Sequence, residues 1–284
     1  MRLLKDSKRV WITGASSGIG EECAVEFARR GASLVISGRR LAELDRVAER
    51  CRQAGSSRVR ILAFDLSDTG ILEEVSAKAW EFYGGIDILY CNAGISQRCD
   101  TDDADIQTIR KVMEVDYFAP VIITKAILHR MIQSGGGQLA CTGSIAGLFG
   151  SRQRCAYGSA KAAIQRFYET IAAEYYDNGI RTTVIVPGRV RTNISFSALE
   201  AGGKPHGVLD NGQAKGISAE KAARVIVDAI LRGKREKLVG GIELSAVWIK
   251  RFFPALSAVI SRKVKNGQSG TSVSARCRLR RIRA

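Results

Sequence analysis

A glycine-rich turn, TGASSGIG at residues 13–20, constrains the fold of this 284-residue chain more than any other feature. It directly follows an apolar β-branched run and opens an amphipathic stretch. Gly14 permits a sharp turn from strand to helix, Gly18 lets backbone N–H groups approach a pyrophosphate, and Gly20 allows close helix–sheet packing. The helix N-terminus adds donors and partial positive charge. The motif therefore predicts a dinucleotide-binding turn with contacts from Gly14, Ser16, Ser17, Gly18, Ile19 and Gly20.

Short apolar runs alternate with longer amphipathic stretches along the rest of the chain. The runs predict seven strands, at residues 9–13, 33–37, 58–64, 86–91, 138–142, 181–186 and 237–239. The amphipathic stretches predict helices at 18–30, 41–53, 68–82, 106–133, 155–178 and 218–231, with a bend near Pro120 and Ser218 as an N-cap. This alternation indicates an α/β fold: a Rossmann-type, doubly wound, parallel seven-stranded sheet with helices on both faces.

The residues after 244 differ in charge from the body of the chain. Ten of the 44 lysines and arginines lie there and none of the 28 acidic residues does, within a net charge of +16. We therefore predict one folded domain over residues 1–244, an apolar and basic segment over 245–265, and a disordered basic tail over 266–284.

The segment over 245–265 is apolar and aromatic, but Lys250, Arg251 and Pro254 interrupt it. It is too broken for a membrane span and suits peripheral membrane contact. Two alternatives stay open: the segment covers a substrate pocket, or it lies in an oligomer contact. The tail beyond it is either a solvated basic end or attracted to phosphates or an anionic membrane. It contains no aromatic residue from Ser269 onward, so we expect no nucleic-acid binding.

The end of the second predicted strand bears on cofactor choice. An acidic residue there would bind an adenosine ribose 2′-hydroxyl, but the sequence reads Ser37-Gly38-Arg39-Arg40. Arg39, together with Arg40, suits a 2′-phosphate through bidentate hydrogen bonds. The alternative of two solvated arginines at a helix start does not explain the missing acid. The pattern favours NADP(H) over NAD(H).

Tyr157 and Lys161 stand four residues apart at the start of a predicted helix, and this spacing places both on one face. A tyrosine normally ionises far above neutral pH, and a nearby ammonium favours the ionised form. Such a pair can donate a proton to a ketone or take one from an alcohol. Ser144 follows the fifth predicted strand, where its hydroxyl can donate to a developing oxyanion.

In order and spacing, these motifs resemble the short-chain dehydrogenase/reductase family over about residues 8 to 240. The resemblance implies Tyr157 as proton donor and acceptor, Ser144 as the residue that polarises the substrate carbonyl, and Lys161 as the residue that binds the nicotinamide ribose and favours tyrosinate. It further implies an adenine pocket, a sheet-supporting segment and a nicotinamide-carboxamide loop, at Asp65-Leu66, Asn92-Ala93-Gly94 and Pro187-Gly188-Arg189-Val190-Arg191-Thr192.

Residues 192–223 and the apolar segment beyond are similar to a narrower, membrane-associated branch, the dehydrogenase/reductase member seven group. The resemblance implies a lipid-like carbonyl substrate such as a steroid or retinoid. It also implies a homodimer or homotetramer, since the helices over 106–133 and 155–178 resemble those that pair between subunits in the family.

One position departs from the family pattern. The family usually has asparagine in the helix after strand four, where the main chain bends to hold a proton-relay water. The matching residue in MEVDYFAP is Asp116. Aspartate has a similar short polar reach, so we expect an active enzyme. An ionised Asp116 near Lys161 would offset positive charge and weaken tyrosinate stabilisation.

The remaining features narrow the function classes. Seven scattered cysteines without a C-x-x-C pair, and no long apolar run near the start, predict reduced thiols in a cytoplasmic protein. The two histidines, His129 and His206, lack ligand partners, so we expect no metal site. His206 falls in the loop before the last helix, either exposed or beside Phe196, Leu199 and Val208 in a pocket wall. An NADP-binding regulator without turnover is the alternative to an enzyme, and it would be expected to lose Ser144, Tyr157 or Lys161.

Overall fold

The computed structural model describes residues 7–208 and 210–263. Its main sheet consists of seven parallel strands in the order β3-β2-β1-β4-β5-β6-β9. These strands are β1 Arg9–Thr13, β2 Ser33–Gly38, β3 Val59–Ala63, β4 Ile88–Cys91, β5 Gly137–Thr142, β6 Ile180–Pro187 and β9 Glu236–Val239. The short strands β7 Val190–Arg191 and β8 Ile217–Ser218 form a separate parallel pair. The doubly wound, Rossmann-type sheet predicted from the sequence is confirmed.

Helices cover both faces of the sheet. They are α1 Gly18–Arg29, α2 Leu41–Gln53, α3 Leu72–Glu81, α4 Ile106–Met113, α5 Ala119–Gln133, α6 Cys155–Glu174, α7 Asn211–Ala214, α8 Ala219–Leu231, α9 Ser245–Phe252 and α10 Pro254–Lys263. Side chains of α1, α2 and α8 pack on one face, and those of α3, α5 and α6 pack on the other. The central strands are therefore buried on both sides, which explains their nearly continuous apolar runs.

The strand order reverses next to β1, which pairs with β2 on one side and β4 on the other. In doubly wound sheets, ligands bind in the crevice outside the carboxyl ends of the strands at such a switch point. The turn at residues 13–20 follows β1 directly, and Asn92 follows β4. The topology thus places the glycine-rich turn at the position where the fold binds ligands.

The structure corrects the sequence prediction for residues 106–133. A π-helical turn, Glu114–Phe118, separates α4 from α5, so the irregularity lies one turn before Pro120. Pro120 itself lies in the first turn of α5, where proline is tolerated because the missing N–H would have no helical partner. Smaller differences are a 3₁₀ turn, Thr69–Ile71, before α3, a β4 that begins at Ile88, and an α6 that ends at Glu174. Ser218 caps α8, as predicted, by accepting a hydrogen bond from the Lys221 N–H.

The segment over 245–265 forms α9 and α10 as far as residue 263. Its remainder and the tail over 266–284 lie outside the described residues. Several large apolar side chains of α9 and α10 are exposed to solvent. The rings of Trp248 and Phe252 are nearly parallel, with their centroids 6.2 Å apart. Within residues 7–208 and 210–263, no helix has the length and apolar character that crossing a bilayer requires.

Candidate active site

The glycine-rich turn is built so that only backbone fits there. Gly14 and Gly18 adopt φ angles of +68° and +60°, in the left-handed region that favours glycine. A Cβ on Gly14 would lie 2.6 Å from the Cα of Ala93, and one on Gly20 would lie 2.2 Å from the Gly14 carbonyl oxygen. The turn and the N-terminus of α1 thus form a backbone cradle whose close packing depends on glycine at positions 14 and 20. This geometry fits a pyrophosphate group.

Asn92 connects the end of β4 to this turn. Its side-chain amide lies 3.3 Å from both the Thr13 and Gly14 carbonyl oxygens, to which it donates, and it accepts a hydrogen bond from the Thr142 hydroxyl. The Thr13 hydroxyl in turn accepts from the Asn92 and Ala93 N–H groups. The predicted Asn92-Ala93-Gly94 segment therefore braces the carboxyl ends of three strands around the turn.

The residues predicted to bind the adenosine end of the cofactor lie close together, and two of them, Arg39 and Asp65, contact each other. Arg39 is 65% exposed and its Nη1 lies 3.7 Å from Asp65 Oδ2, and Arg40 donates to the Ser16 hydroxyl at 3.5 Å. Burial alone would raise the pKa of Asp65, but hydrogen bonds from Ser67 and the charge of Arg39 lower it. The Arg39–Asp65 pair was missed by sequence reasoning, which assigned the two residues separate contacts.

Tyr157 and Lys161 lie in the first turns of α6, and Ser144 lies just after β5. The Lys161 ammonium is buried, lies 5.8 Å from the centre of the Tyr157 ring, and donates to the Thr142 carbonyl at 2.9 Å. Ser144 is buried, and its oxygen accepts from the Ala146 N–H at 3.1 Å, which leaves its proton free to be donated. Gln165, which the sequence did not single out, fixes this segment by donating to the Ser144 carbonyl at 2.9 Å.

Asp116 lies in the π-helical turn and is fully enclosed next to Lys161. Its Oδ2 lies 3.1 Å from the Lys161 Nζ, and its Oδ1 accepts from the Ile95 N–H at 2.7 Å. Burial raises the pKa of Asp116, and the Lys161 charge opposes this rise only in part. Burial would lower the pKa of Lys161, but the charges of Asp116 and Tyr157 outweigh burial and raise it. A Cβ on Gly94 would lie 2.9 Å from Asp116 Oδ2, so the pair requires glycine there.

The loop after β6 returns to the glycine-rich turn. The Gly188 N–H donates to the Val239 carbonyl at 2.8 Å, and Val190 pairs with Ile217 in the short sheet. Thr192 lies so close to Gly18 that a Cβ on the glycine would be 3.1 Å from its methyl group. The predicted carboxamide loop, which starts at Pro187, thus lies beside the predicted pyrophosphate turn.

A second charged cluster, missed by sequence reasoning, lies next to Tyr157. Arg98 and Arg154 both approach Asp210, and Arg154 lies 5.4 Å from the centre of the Tyr157 ring. His206 lies 2.6 Å from Glu200 and 3.9 Å from Asp210, with its side chain only 14% exposed. Of the two placements weighed for His206, the exposed one is therefore wrong. Among its predicted neighbours, Leu199 is buried, but Phe196 and Val208 are more than half exposed.

Comparison with known proteins identifies the scaffold. A family model described as "short chain dehydrogenase" matches residues 8–201. The chain belongs to the short-chain dehydrogenase/reductase family. It is 37% identical over 271 residues to the mouse protein "Dehydrogenase/reductase SDR family member 7B". The aligned region covers 93% of this chain and 83% of the mouse protein. A Drosophila melanogaster relative, "Dehydrogenase/reductase SDR family protein 7-like", is 34% identical over 253 residues, 88% of this chain and 78% of the relative.

Solved structures show the same fold. An alcohol dehydrogenase from Thermococcus sibiricus, complexed with 5-hydroxy-NADP, has a TM-score of 0.71 at 25% identity and covers 84% of this chain and 97% of its own. A short-chain dehydrogenase from Streptomyces avermitilis has a TM-score of 0.77 at 25% identity, covering 92% of this chain and all of its own. As a short-chain dehydrogenase/reductase, the chain is an oxidoreductase that acts on CH–OH donors with a nicotinamide cofactor.

Proposed function

We propose that the chain is an NADP(H)-dependent enzyme that interconverts a secondary alcohol with a ketone, or the corresponding primary alcohol with an aldehyde. Tyr157 would be its acid–base group and a lipid-like or other apolar carbonyl its substrate. The observation that carries this proposal is the convergence of Ser144, Tyr157 and Lys161 beside the glycine-rich turn at the carboxyl edge of the sheet. The names of the relatives of this chain agree with reductase chemistry.

Each of these residues has a separate role in the proposed reaction. The nicotinamide, when bound, supplies or accepts a hydride. Tyr157 gives its phenolic proton to the carbonyl oxygen during reduction and takes a proton from the alcohol during oxidation. The Ser144 hydroxyl donates a hydrogen bond to the same oxygen as negative charge develops. Lys161 would hold the nicotinamide ribose, and residues 187–192 would hold the carboxamide.

The preference for NADP(H) rests on the charge at the end of β2. Arg39 and Arg40 follow Gly38 where an NAD-binding site would have a carboxylate, and Arg39 is exposed enough to turn toward a 2′-phosphate. The archaeal neighbour complexed with an NADP derivative is consistent with this assignment. Asp65 and Leu66 would line the adenine pocket beside these arginines.

A panel of ketones, aldehydes and alcohols, assayed with NADPH and NADH in parallel by absorbance, tests the proposal. We expect turnover of at least one apolar carbonyl, faster with NADPH. The alternative is a regulator that binds NADP without turnover, which the retained Ser144, Tyr157 and Lys161 disfavour. NADPH binding without turnover of any compound in the panel would support that alternative.

The assembly and location are further parts of the proposal. We propose a catalytic domain over residues 1–244 that forms a homodimer or homotetramer through α4, α5 and α6, with exposed Phe118 and Tyr176 at the ends of these elements as contact residues. Light scattering coupled to size-exclusion chromatography tests this state. A monomer at micromolar concentration would contradict it.

We further propose that the protein is cytoplasmic and touches membranes through α9 and α10, the C-terminal helix pair. Trp248, Phe252 and Phe253 are each more than half exposed there, and Lys250 and Arg251 lie between them. No acidic residue follows Glu243, so the pair is complementary to an anionic lipid surface.

Flotation of the full chain with vesicles tests this contact. We expect binding to vesicles that contain phosphatidylserine, weaker binding to pure phosphatidylcholine, and loss of binding in Phe252→Ser/Phe253→Ser. Phe82→Ser removes an exposed phenylalanine elsewhere and serves as the matched control. Binding that is unchanged in the double variant would contradict the contact, as would a change of oligomeric state without vesicle binding, since the helix pair would then cover a second copy of the chain.

A further inference from the structure

The positive charge of the Lys161 ammonium next to Tyr157 is balanced by a neighbouring carboxylate. Lys161 lies 3.1 Å from the Asp116 carboxylate, and both side chains are almost completely buried. A neutralised pair exerts a much weaker field on a neighbouring group than a lone cation does. Lys161 in this chain is therefore a weaker source of positive charge for a tyrosinate than it would be beside a neutral residue.

A second cation approaches the same ring. The Arg154 guanidinium carbon lies 5.4 Å from the centre of the Tyr157 ring, closer than the Lys161 nitrogen at 5.8 Å. Arg154 donates to the Gln97 carbonyl at 3.0 Å and to the Ser96 hydroxyl, and its side chain is only 14% exposed. These neutral acceptors hold the guanidinium in place without cancelling its charge.

The carboxylate near Arg154 is shared. Asp210 Oδ2 lies 3.6 Å from Arg154 Nη2 and pairs more closely with Arg98. Burial and the nearby Arg154 lower the pKa of Arg98 to about 9, and burial also lowers the pKa of Arg154. Arginine starts from a pKa far above neutrality, so we take both guanidinium groups as charged at pH 7. Two arginines thus face one buried aspartate.

The remaining charged groups near the cluster do not remove this excess of positive charge. His206 lies between Glu200 and Asp210, at 2.6 Å and 3.9 Å. Glu200 pairs with the imidazole and is about half exposed, so solvent screens it. The charged groups around Tyr157 are therefore one balanced pair, Lys161 with Asp116, and one cationic trio, Arg98, Arg154 and Asp210. His206 and the half-exposed Glu200 lie behind this trio.

We propose that Arg154 is a positioning residue for Tyr157: it supplies the positive charge that stabilises tyrosinate, in place of the charge that Asp116 removes from Lys161. The proposal rests on the acid–base role of Tyr157 proposed above. It gives a physical reason why aspartate is tolerated in the π-helical turn. It also distinguishes Arg154 from a merely structural anchor of residues 96–97, since an anchor would affect the rate without affecting its pH dependence.

The test is the pH profile of kcat/KM for NADP⁺-dependent oxidation of an alcohol substrate from the panel. Activity requires the ionised phenol and therefore rises with pH. In Arg154→Gln the lost charge should move the midpoint upward by about 1 pH unit and lower the rate at neutral pH by about tenfold. In Asp116→Asn the unmasked Lys161 should move the midpoint downward. The double variant should return close to the wild-type midpoint.

Two further variants separate charge from structure. Arg154→Lys keeps the charge with a different shape and should restore the midpoint even if it lowers the rate. Arg152→Gln removes an exposed arginine from the same loop and should leave the midpoint unchanged. If Arg154→Gln does not fold, Arg154→Met removes the same charge with another long side chain and should raise the midpoint in the same way. NADPH fluorescence reports whether each variant retains the cofactor site.

The outcomes distinguish the two proposals. If Tyr157→Phe remains active, the acid–base assignment itself fails. If Tyr157→Phe is inactive but Arg154→Gln lowers the rate at every pH without moving the midpoint, only the role of Arg154 fails. A double variant whose midpoint stays as high as that of Arg154→Gln would also overturn the inference, because Asp116 and Arg154 would then not act on the same group.

Discussion

The two sides of the active site are specified by opposite means. On the cofactor side, the turn at residues 13–20 depends on the absence of side chains, because any Cβ on Gly14 or Gly20 would collide with backbone. On the substrate side, Arg98, Arg154 and Asp210 come from separate segments and are held by buried charge. A steric requirement can therefore be recognised in a short sequence motif, whereas an electrostatic requirement becomes visible only when segments distant in sequence come together.

The substrate side should be the more sensitive to loss of one charge. Asp210→Asn would leave Arg98 and Arg154 buried without a carboxylate, and breaking such a pair costs about 4 kcal/mol of unfolding free energy. Asp228→Asn removes a carboxylate that also pairs with two arginines but is 42% exposed, and it should cost less than about 1 kcal/mol. Urea unfolding measures both. Equal costs would show that the buried cluster contributes no more than a surface pair.

The cofactor side should be the more sensitive to one added methyl group. Gly14→Ala combines a positive φ with a collision against Ala93, so we expect a loss of about 3 kcal/mol and of NADPH binding. Gly31→Ala has a similar φ, +85°, but nothing within 4 Å of the new Cβ, and should cost about 1 kcal/mol. Urea unfolding and NADPH fluorescence check the pair. A Gly14→Ala protein that binds NADPH normally would refute the backbone cradle.

The smallest expected effect is at the rim of the cofactor side, where the charge of the side chains, and not their shape, determines the preference for NADPH or NADH. Arg39→Asp should move the ratio of kcat/KM for NADPH over NADH toward NADH by about tenfold or more, since the new carboxylate repels a 2′-phosphate and suits a ribose hydroxyl. Arg52→Asp makes the same charge change at an exposed site on α2 and should leave the ratio unchanged. An unshifted ratio in Arg39→Asp would remove Arg39 from the phosphate site.

The parts of the molecule that sequence could predict follow the same division. Seven strands and the glycine-rich turn were predictable because periodicity and glycine spacing are local signals. The local pattern did not predict the π-helical turn at Glu114–Phe118, because Pro120 is a stronger local signal and placed the predicted bend one turn too far. Only the family resemblance implied a main-chain bend at Asp116, which lies inside this turn. The pairs Arg39–Asp65 and Arg98–Asp210 were not predictable either, since each joins segments that only the folded sheet and its loops bring together.

Single-turnover kinetics on Tyr157→Phe measure whether the phenol of Tyr157 donates the proton to the carbonyl. Rapid mixing of the NADPH-loaded enzyme with a carbonyl substrate from the panel isolates the chemical step, and NADPH fluorescence measures binding separately. We expect NADPH binding close to wild type and a loss of NADPH absorbance at least about 100-fold slower. Tyr83→Phe removes a phenol that donates to the Leu34 carbonyl, away from Tyr157, and should behave as wild type. A Tyr157→Phe enzyme that consumes NADPH at the wild-type rate would contradict the assignment of Tyr157 as the proton donor.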